Sequence, residues 1–162
     1  MFFYRIFDLE RHTKHKAFCK VILERKLWMK TIPEIQVYVR YCETDASGHV
    51  NNTSYFLYME EARTRFLDFL RKEIGSQDWN FILASTKCDY LAQAYAHQTL
   101  TVASKLIRIG TKSFTIEHEM RNSETGVIVA RGNAVVVCFD FHKQQSQPIS
   151  PKLRSILEEF LA

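Results

Sequence analysis

The 162-residue chain has no apolar run near the ~18–20 residues that a membrane-spanning helix needs, so no such span and a soluble protein are expected. Its four cysteines, Cys19, Cys42, Cys88 and Cys138, include no C-x-x-C pair. That spacing suits neither a zinc site nor a dense disulfide framework, so the expectation is no metal and reduced thiols in the cytoplasm. The N-terminal segment lacks the long apolar core and small-residue cleavage site of a secretory signal. It also carries acids that a transit peptide would avoid. G-x-S-x-G is missing, which argues against an α/β-hydrolase. G-T-K-S at 110–113 is no phosphate loop, because Lys105 stands where its first glycine belongs. Nothing calls for a cofactor.

What is present is an ordinary globular composition, 46% apolar and 13% aromatic, ample for one packed core. The net charge of +4 is local. Residues 1–30 hold eight Lys/Arg against Asp8, Glu10 and Glu24, a net of +5, so the other 132 residues sum to −1. A nearly neutral body with a basic appendage does not describe a nucleic-acid-binding domain, and no nucleic-acid partner is expected. Residues 1–32 are assigned to a basic N-terminal extension and 33–162 to the domain proper. The extension is a surface helix, a flexible arm, or a stretch upstream of a natural start at Met29, where M-K-T-I-P-E-I-Q-V-Y-V leads into a first strand. His12 and His15 within it suit a solvated basic face better than a metal.

From Pro33 the periodicities are clear. Ile35, Val37, Val39 and Tyr41 alternate with polar neighbours, as in a half-buried strand. Tyr55, Met59, Ala62, Phe66 and Leu70 recur at helical spacing, widened by Phe56, Leu67 and Ile74, and Gly75 is the stop. The helix so defined runs about 23 residues, roughly 34 Å at about 1.5 Å per residue. Residues 81–91, 99–109, 113–122 and 127–141 are β-rich runs separated by turn chemistry, and their short links imply antiparallel pairing. Ser150-Pro151 opens a final short helix. The order strand, long helix, four strands, short helix predicts an α+β fold whose antiparallel sheet wraps the long helix. One helix cannot cover a wide sheet, so an edge or face is left for another subunit.

The block Y-V-R-Y-C-E-T-D-A-S-G-H-V-N-N-T-S-Y-F-L-Y-M-E-E-A-R-T-R-F-L, residues 38–67, resembles the signature of the 4-hydroxybenzoyl-CoA thioesterase-like family of hot-dog-fold proteins. C-D-Y-L-A-Q-A at 88–94 and R-I-G-T-K-S at 108–113 resemble it too. The resemblance covers about 33 to 142. It implies hydrolysis of an acyl thioester carried by CoA or acyl carrier protein, and a homodimer or homotetramer with a sheet continuous between subunits. It places Asp45 at the family's catalytic carboxylate, as nucleophile or general base, and Asn52 where a backbone amide polarises the thioester carbonyl.

The chemistry asks for such groups: a base or nucleophile, and donors for the developing oxyanion. Asp45, read as ending the first strand, lies just before a helix whose free N–H groups attract negative charge. Gly48 permits close backbone approach to a ligand. Each residue has a plainer alternative. Asp45 fits an Asx turn or cap. His49 is a base, a substrate contact or a turn residue. Asn51 caps the helix or fixes the loop. Glu60 is the second candidate carboxylate, with Glu60 or Glu61 pairing to Arg63 or Arg65 as the alternative. Glu43 is read as a solvated strand-end residue, and Tyr55 and Tyr58 as core or pocket wall. Lys87, Arg108, Lys112 and Arg131 are candidates for CoA phosphates, with Lys112 and Ser113 favoured by resemblance. A non-catalytic acyl-CoA-binding or regulatory protein is the alternative function.

Overall fold

The computed structural model describes residues 30–162; the extension's residues 1–29, with His12, His15 and Met29, lie outside them. Residues 31–162 form one compact unit. In order it contains β1 (Ile35–Tyr38), a 3₁₀ turn (Tyr41–Glu43), α1 (Asn52–Ile74), β2 (Phe81–Tyr90), β3 (Thr99–Ile109), β4 (Ser113–Asn122), β5 (Ile128–Asp140), β6 (Gln145–Ser146) and α2 (Pro151–Glu158). The strands pair antiparallel in the order β1-β3-β4-β5-β2, with β6 added to β5. This is a curled sheet around a long helix, the predicted hot-dog arrangement.

Local chemistry explains most boundaries. Gly75 takes φ +74° at the C-cap of α1, where its N–H donates back to Arg71 O and Lys72 O. Ser150 caps α2 by accepting from Leu153 N–H, with Pro151 next. In β4, Phe114, Ile116, His118 and Met120 point inward as their alternation requires.

Strand β1 ends earlier than its alternation suggests. Val39 is fully buried and bonds both ways to the 97–98 segment, its N–H to Gln98 O and its O from His97 N–H, each at 2.9 Å. The chain then coils into the 3₁₀ turn and throws Tyr41 outward, 79% exposed. Asp45 therefore follows a turn, not a strand.

Two apolar clusters fill the interior. One gathers Phe66, Leu70, Phe81, Leu106, Phe114, Leu153 and Leu157. The other, nearer the start of α1, gathers Val37, Val39, Val50, Tyr55, Tyr58, Met59, Leu100 and Met120. Between their contributing positions on α1, β3 and β4 lie three buried polar residues, Arg63, Ser104 and His118. His118 Nδ1 shares a 2.9 Å hydrogen bond with Ser104 Oγ, while its buried Nε2 has no partner among the described residues. Burial and the nearby Arg63 charge hold this histidine neutral, its pKa lowered to about 3. Gly132, opposite His118 in β5, brings the sheet close to α1. A Cβ there would stand 2.5 Å from both Met59 Sδ and Lys87 O.

Strand β2 is different. Only Phe81 is buried; Ile82, Leu83 and Tyr90 are 40–48% exposed, and Leu91 just beyond it is 54% exposed. It pairs with β5 alone, so among the described residues its other edge is unpaired. No described helix is long and apolar enough to cross a membrane.

Candidate active site

The segment from Tyr41 to Tyr55 folds on itself. Thr44 and Val50 form an isolated antiparallel bridge. Inside it, Asp45 N–H donates to His49 O at 2.9 Å and Gly48 N–H donates to Asp45 O at 3.0 Å. This tight turn requires a left-handed residue at Gly48, whose φ is +78°. A Cβ at Gly48 would meet nothing within 4 Å, so the dihedral, not lack of space, selects glycine. Asp45 sits exposed at the tip, with Oδ1 accepting the Ser47 N–H at 2.8 Å. It thus makes an Asx turn, which fixes one carboxylate oxygen and leaves Oδ2 without a partner among the described residues.

The loop is fastened to the segment before β3. Val50 N–H donates to Ala94 O at 2.8 Å, and His49 bridges Tyr95, with ring centroids 5.2 Å apart and edge-on. His49 is half-buried in this contact.

The helix mouth follows at once. Asn51 is the N-cap of α1; its Oδ1 accepts Thr53 N–H at 2.9 Å and Thr53 Oγ1–H at 2.8 Å. Asn52 is the first helical residue, so its N–H has no intrahelical acceptor. Tyr90, from the edge strand, donates its hydroxyl to Asn52 O at 3.1 Å. Its ring meets Tyr55 edge-on at 5.2 Å, and Tyr55 in turn meets Tyr58 at 6.3 Å. Tyr55 is buried, which pushes its pKa up to about 12, with Cys88 and Tyr90 adding to the effect. Burial also raises Cys88, to about 11, so at neutral pH it is a thiol and not a nucleophilic thiolate.

Glu43 is not the solvated residue expected. Its side chain is 17% exposed, and Oε2 accepts Arg40 N–H at 2.8 Å and Tyr58 OH at 2.9 Å. Its backbone O accepts Asn51 N–H at 2.8 Å and Ser54 Oγ–H at 2.9 Å. Sequence reasoning missed both Glu43 and Tyr90. Tyr90 reaches Asn52 only because β2 lies at the sheet edge beside the start of α1, and no local pattern encodes that. Behind the Glu43–Tyr58 bond runs a groove of about 460 Å³ between β1 and α1, lined also by Val37, Tyr38, Arg40, Leu57 and Glu61. Asp45 is not among its lining residues.

Asp45, Gly48 and His49 thus share one turn, and Asn51, Asn52 and Tyr55 the helix start that follows it. The other candidates lie elsewhere. Glu60 is exposed on α1, eight positions beyond Asn52 and so about 12 Å along the axis. Its electrostatic partner is Arg63, three residues on, which is only 6% exposed. Glu61 pairs with Arg65 on the outer face. Lys112 and Ser113 lie beyond the far end of β3, an 11-residue strand roughly 33 Å long at about 3.3 Å per residue. There Lys112 Nζ donates to Ser146 O and Oγ, both at 3.3 Å. Lys87 and Arg131 are engaged with Asp89 and Glu119. No group of three or more His, Cys, Asp or Glu able to hold a metal occurs among the described residues.

A model of the thioesterase-like superfamily matches residues 39–157. The chain belongs to that superfamily. The family resemblance of the 38–67 block is borne out, and membership supports a thioester hydrolase. The long-chain acyl-CoA thioesterase FadM of Escherichia coli is 27% identical over 134 residues, 79% of this chain and 98% of that protein. The structure of a predicted thioesterase from Bacillus stearothermophilus is 30% identical with a TM-score of 0.73, covering 80% of this chain and 96% of that one. A Thermus thermophilus thioesterase solved with coenzyme A and zinc is 26% identical with a TM-score of 0.69, covering 79% and 98%.

Proposed function

We propose that this thioesterase-like protein hydrolyses acyl-CoA to the free acid and CoA, with Asp45 as the reacting carboxylate. The carrying observation is that the Asp45 turn runs directly into the N-cap of α1. A carboxylate and the Asn52 N–H, which has no acceptor among the described residues, therefore serve one mouth. The thioester carbonyl oxygen lies toward the Asn52 N–H, where the helix dipole favours the charge that develops there. Either Asp45 takes a proton from water as the water oxygen bonds to the carbonyl carbon, or Asp45 itself attacks and water then opens the mixed anhydride. In both routes the C–S bond breaks with its electron pair on sulfur, and the thiolate takes up the proton. Single turnover in ¹⁸O-water labels Asp45 only in the second route, where water adds to the Asp45 carbonyl and the acyl group leaves as the free acid. Tyr55 and Tyr90 form the wall beside the reacting carbonyl.

The assembly we propose is at least a homodimer through the free edge of β2. Two such edges joined antiparallel would set the Phe81 end of one against the Tyr90 end of the other. Within each chain the Lys112–Ser113 turn adjoins the Phe81 end, since Cys138, the partner of Phe81, donates its N–H to Lys112 O. The CoA phosphates would then meet Lys112 of the partner subunit. Cys42, Cys88 and Cys138 are free thiols, in keeping with a reducing cytoplasm.

A panel of acyl-CoA and acyl-carrier-protein thioesters, followed by thiol release, tests this reading. Asp45→Asn is expected to lower turnover by about 10²-fold or more, in the range of general base or nucleophile removal. Turnover unchanged in Asp45→Asn across every substrate that the parent hydrolyses sinks it. The alternative, an acyl-CoA-binding protein without hydrolysis, shows itself as tight binding with no thiol released.

A further inference from the structure

We propose that Glu43 is a positioning residue, which sets the catalytic turn against the helix mouth and acts through Tyr58. This rests on the proposed role of Asp45.

Glu43 is joined to three parts of the site simultaneously. Toward the strand it accepts Arg40 N–H at 2.8 Å, and the Arg40 guanidinium stands 3.7 Å from Oε1. Toward the N-cap, its carbonyl holds the Asn51 N–H and the Ser54 hydroxyl. Toward the body of α1, its carboxylate holds the Tyr58 hydroxyl, two turns into the helix. Asp45 follows two residues later, after one bridge residue, Thr44, whose N–H and hydroxyl are both tied to Tyr41 O. Little slack is left between the Glu43 carboxylate and the Asp45 turn.

The Tyr58 bond has one direction. A carboxylate only accepts, and Tyr58 is a buried phenol whose pKa is raised by burial and by Glu43 itself. It therefore donates at every working pH. Among the described residues, Asp45 bonds only within its own turn, to Ser47 N–H, His49 O and Gly48 N–H. Its distance to the Asn52 amide is therefore set by what holds the two flanks of the turn: the Val50 bond to Ala94 O on one side, and on the other Glu43, whose carbonyl and carboxylate both reach α1. Misplacing a reacting group by about 1 Å costs on the order of 10²-fold in rate.

The test is a set of cycles on the full chain. Glu43→Ala, Glu43→Gln and Tyr58→Phe are each made in the parent and in Asp45→Asn. Hydrolysis of acetyl-, octanoyl- and palmitoyl-CoA is followed under multiple and single turnover. In the parent, Glu43→Ala should lower kcat by about 10–100-fold with KM within about threefold, and Tyr58→Phe by about 5–10-fold. Glu43→Gln, which still accepts from Tyr58, should recover most of the loss. In Asp45→Asn, where no carboxylate remains to be aimed, the same changes should alter the residual rate by less than about twofold.

Unchanged kcat in Glu43→Ala and Tyr58→Phe overturns the proposal, as does an equal loss in both backgrounds. Should Glu43→Ala fail to fold, Tyr58→Phe removes one hydroxyl and carries the cycle alone. A parent that hydrolyses nothing, or an Asp45→Asn that hydrolyses like the parent, overturns the catalytic reading and this proposal with it. Loss in Asp45→Asn without loss in the Glu43 and Tyr58 variants overturns only the latter.

Discussion

Lowering the pH from 7 to 5 should take about 2 kcal/mol more stability from the protein than from its His118→Gln variant. In the fold His118 is fully buried, bonded to Ser104, near the Arg63 guanidinium, and neutral down to a pKa of about 3. Unfolded, it returns to the ordinary value of about 6.5. A folded pKa below the unfolded one means that the unfolded chain binds the extra proton between the two. Stability is thus full above about pH 6.5 and falls as pH drops through the window toward 3. Each unit inside the window is worth about 1.4 kcal/mol, and the step from pH 7 to 5 crosses about 1.5 units of it. Other groups contribute to the total pH dependence, so the variant is the reference and only the difference between the two losses is compared. Gln retains a partner for Ser104 and cannot titrate. Denaturant unfolding of both proteins at pH 7 and pH 5 supplies the four free energies. Losses equal to within about 0.5 kcal/mol would refute the neutral buried histidine, because that is the precision at which such differences are resolved.

Gly132→Ala should destabilise by about 1–3 kcal/mol, the usual range for overpacking, although alanine restricts the unfolded chain more than glycine does. Met59 can move aside from the new Cβ, but Lys87 O is backbone of β2 and cannot do so cheaply. Thermal denaturation checks this, and an unchanged or raised Tm refutes it. Placing lysine on the exposed apolar edge, Ile82→Lys with Leu83→Lys, should convert the proposed dimer to monomer in light scattering, since charge on an unpaired edge opposes strand pairing. A double variant with the parent's mass in solution counts against β2 as the interface.

Local signals carried much of this structure. The four long strands and α1 follow from alternation, helical spacing and the turn residues between them. Ser150, Pro151 and Gly75 mark helix ends for reasons contained in a few neighbouring residues. Even His118 sits where its strand period puts it, inside. What escaped depends on partners far away in the chain. Val39 is buried by the 97–98 segment, and that contact ends β1 early. Glu43 looks like an ordinary acid until Tyr58, fifteen residues on, turns back to it. β2 has the composition of a core strand, yet it is exposed because sheet order puts it last. Lys112 and Ser113 stand in a recognisable turn, but the length of β3 removes them from Asp45 in their own chain. In the candidate site, the residues from 43 to 55 were legible as a block, and their division of labour was not.

The fastening of the Asp45 turn has a consequence for how the protein is made. Both of its flanks, Val39 and Val50, hydrogen-bond to residues 94–98, and β1 pairs with 99–102. A ribosome that has released the whole of α1 has therefore released a helix whose mouth has its Glu43 contacts but not its anchors in residues 94–98. Only when the chain beyond residue 102 has emerged can the turn be closed from both sides. Closure across so long an intervening stretch is slow relative to forming the helix itself. The site that is most compact in sequence thus waits on a segment far down the chain.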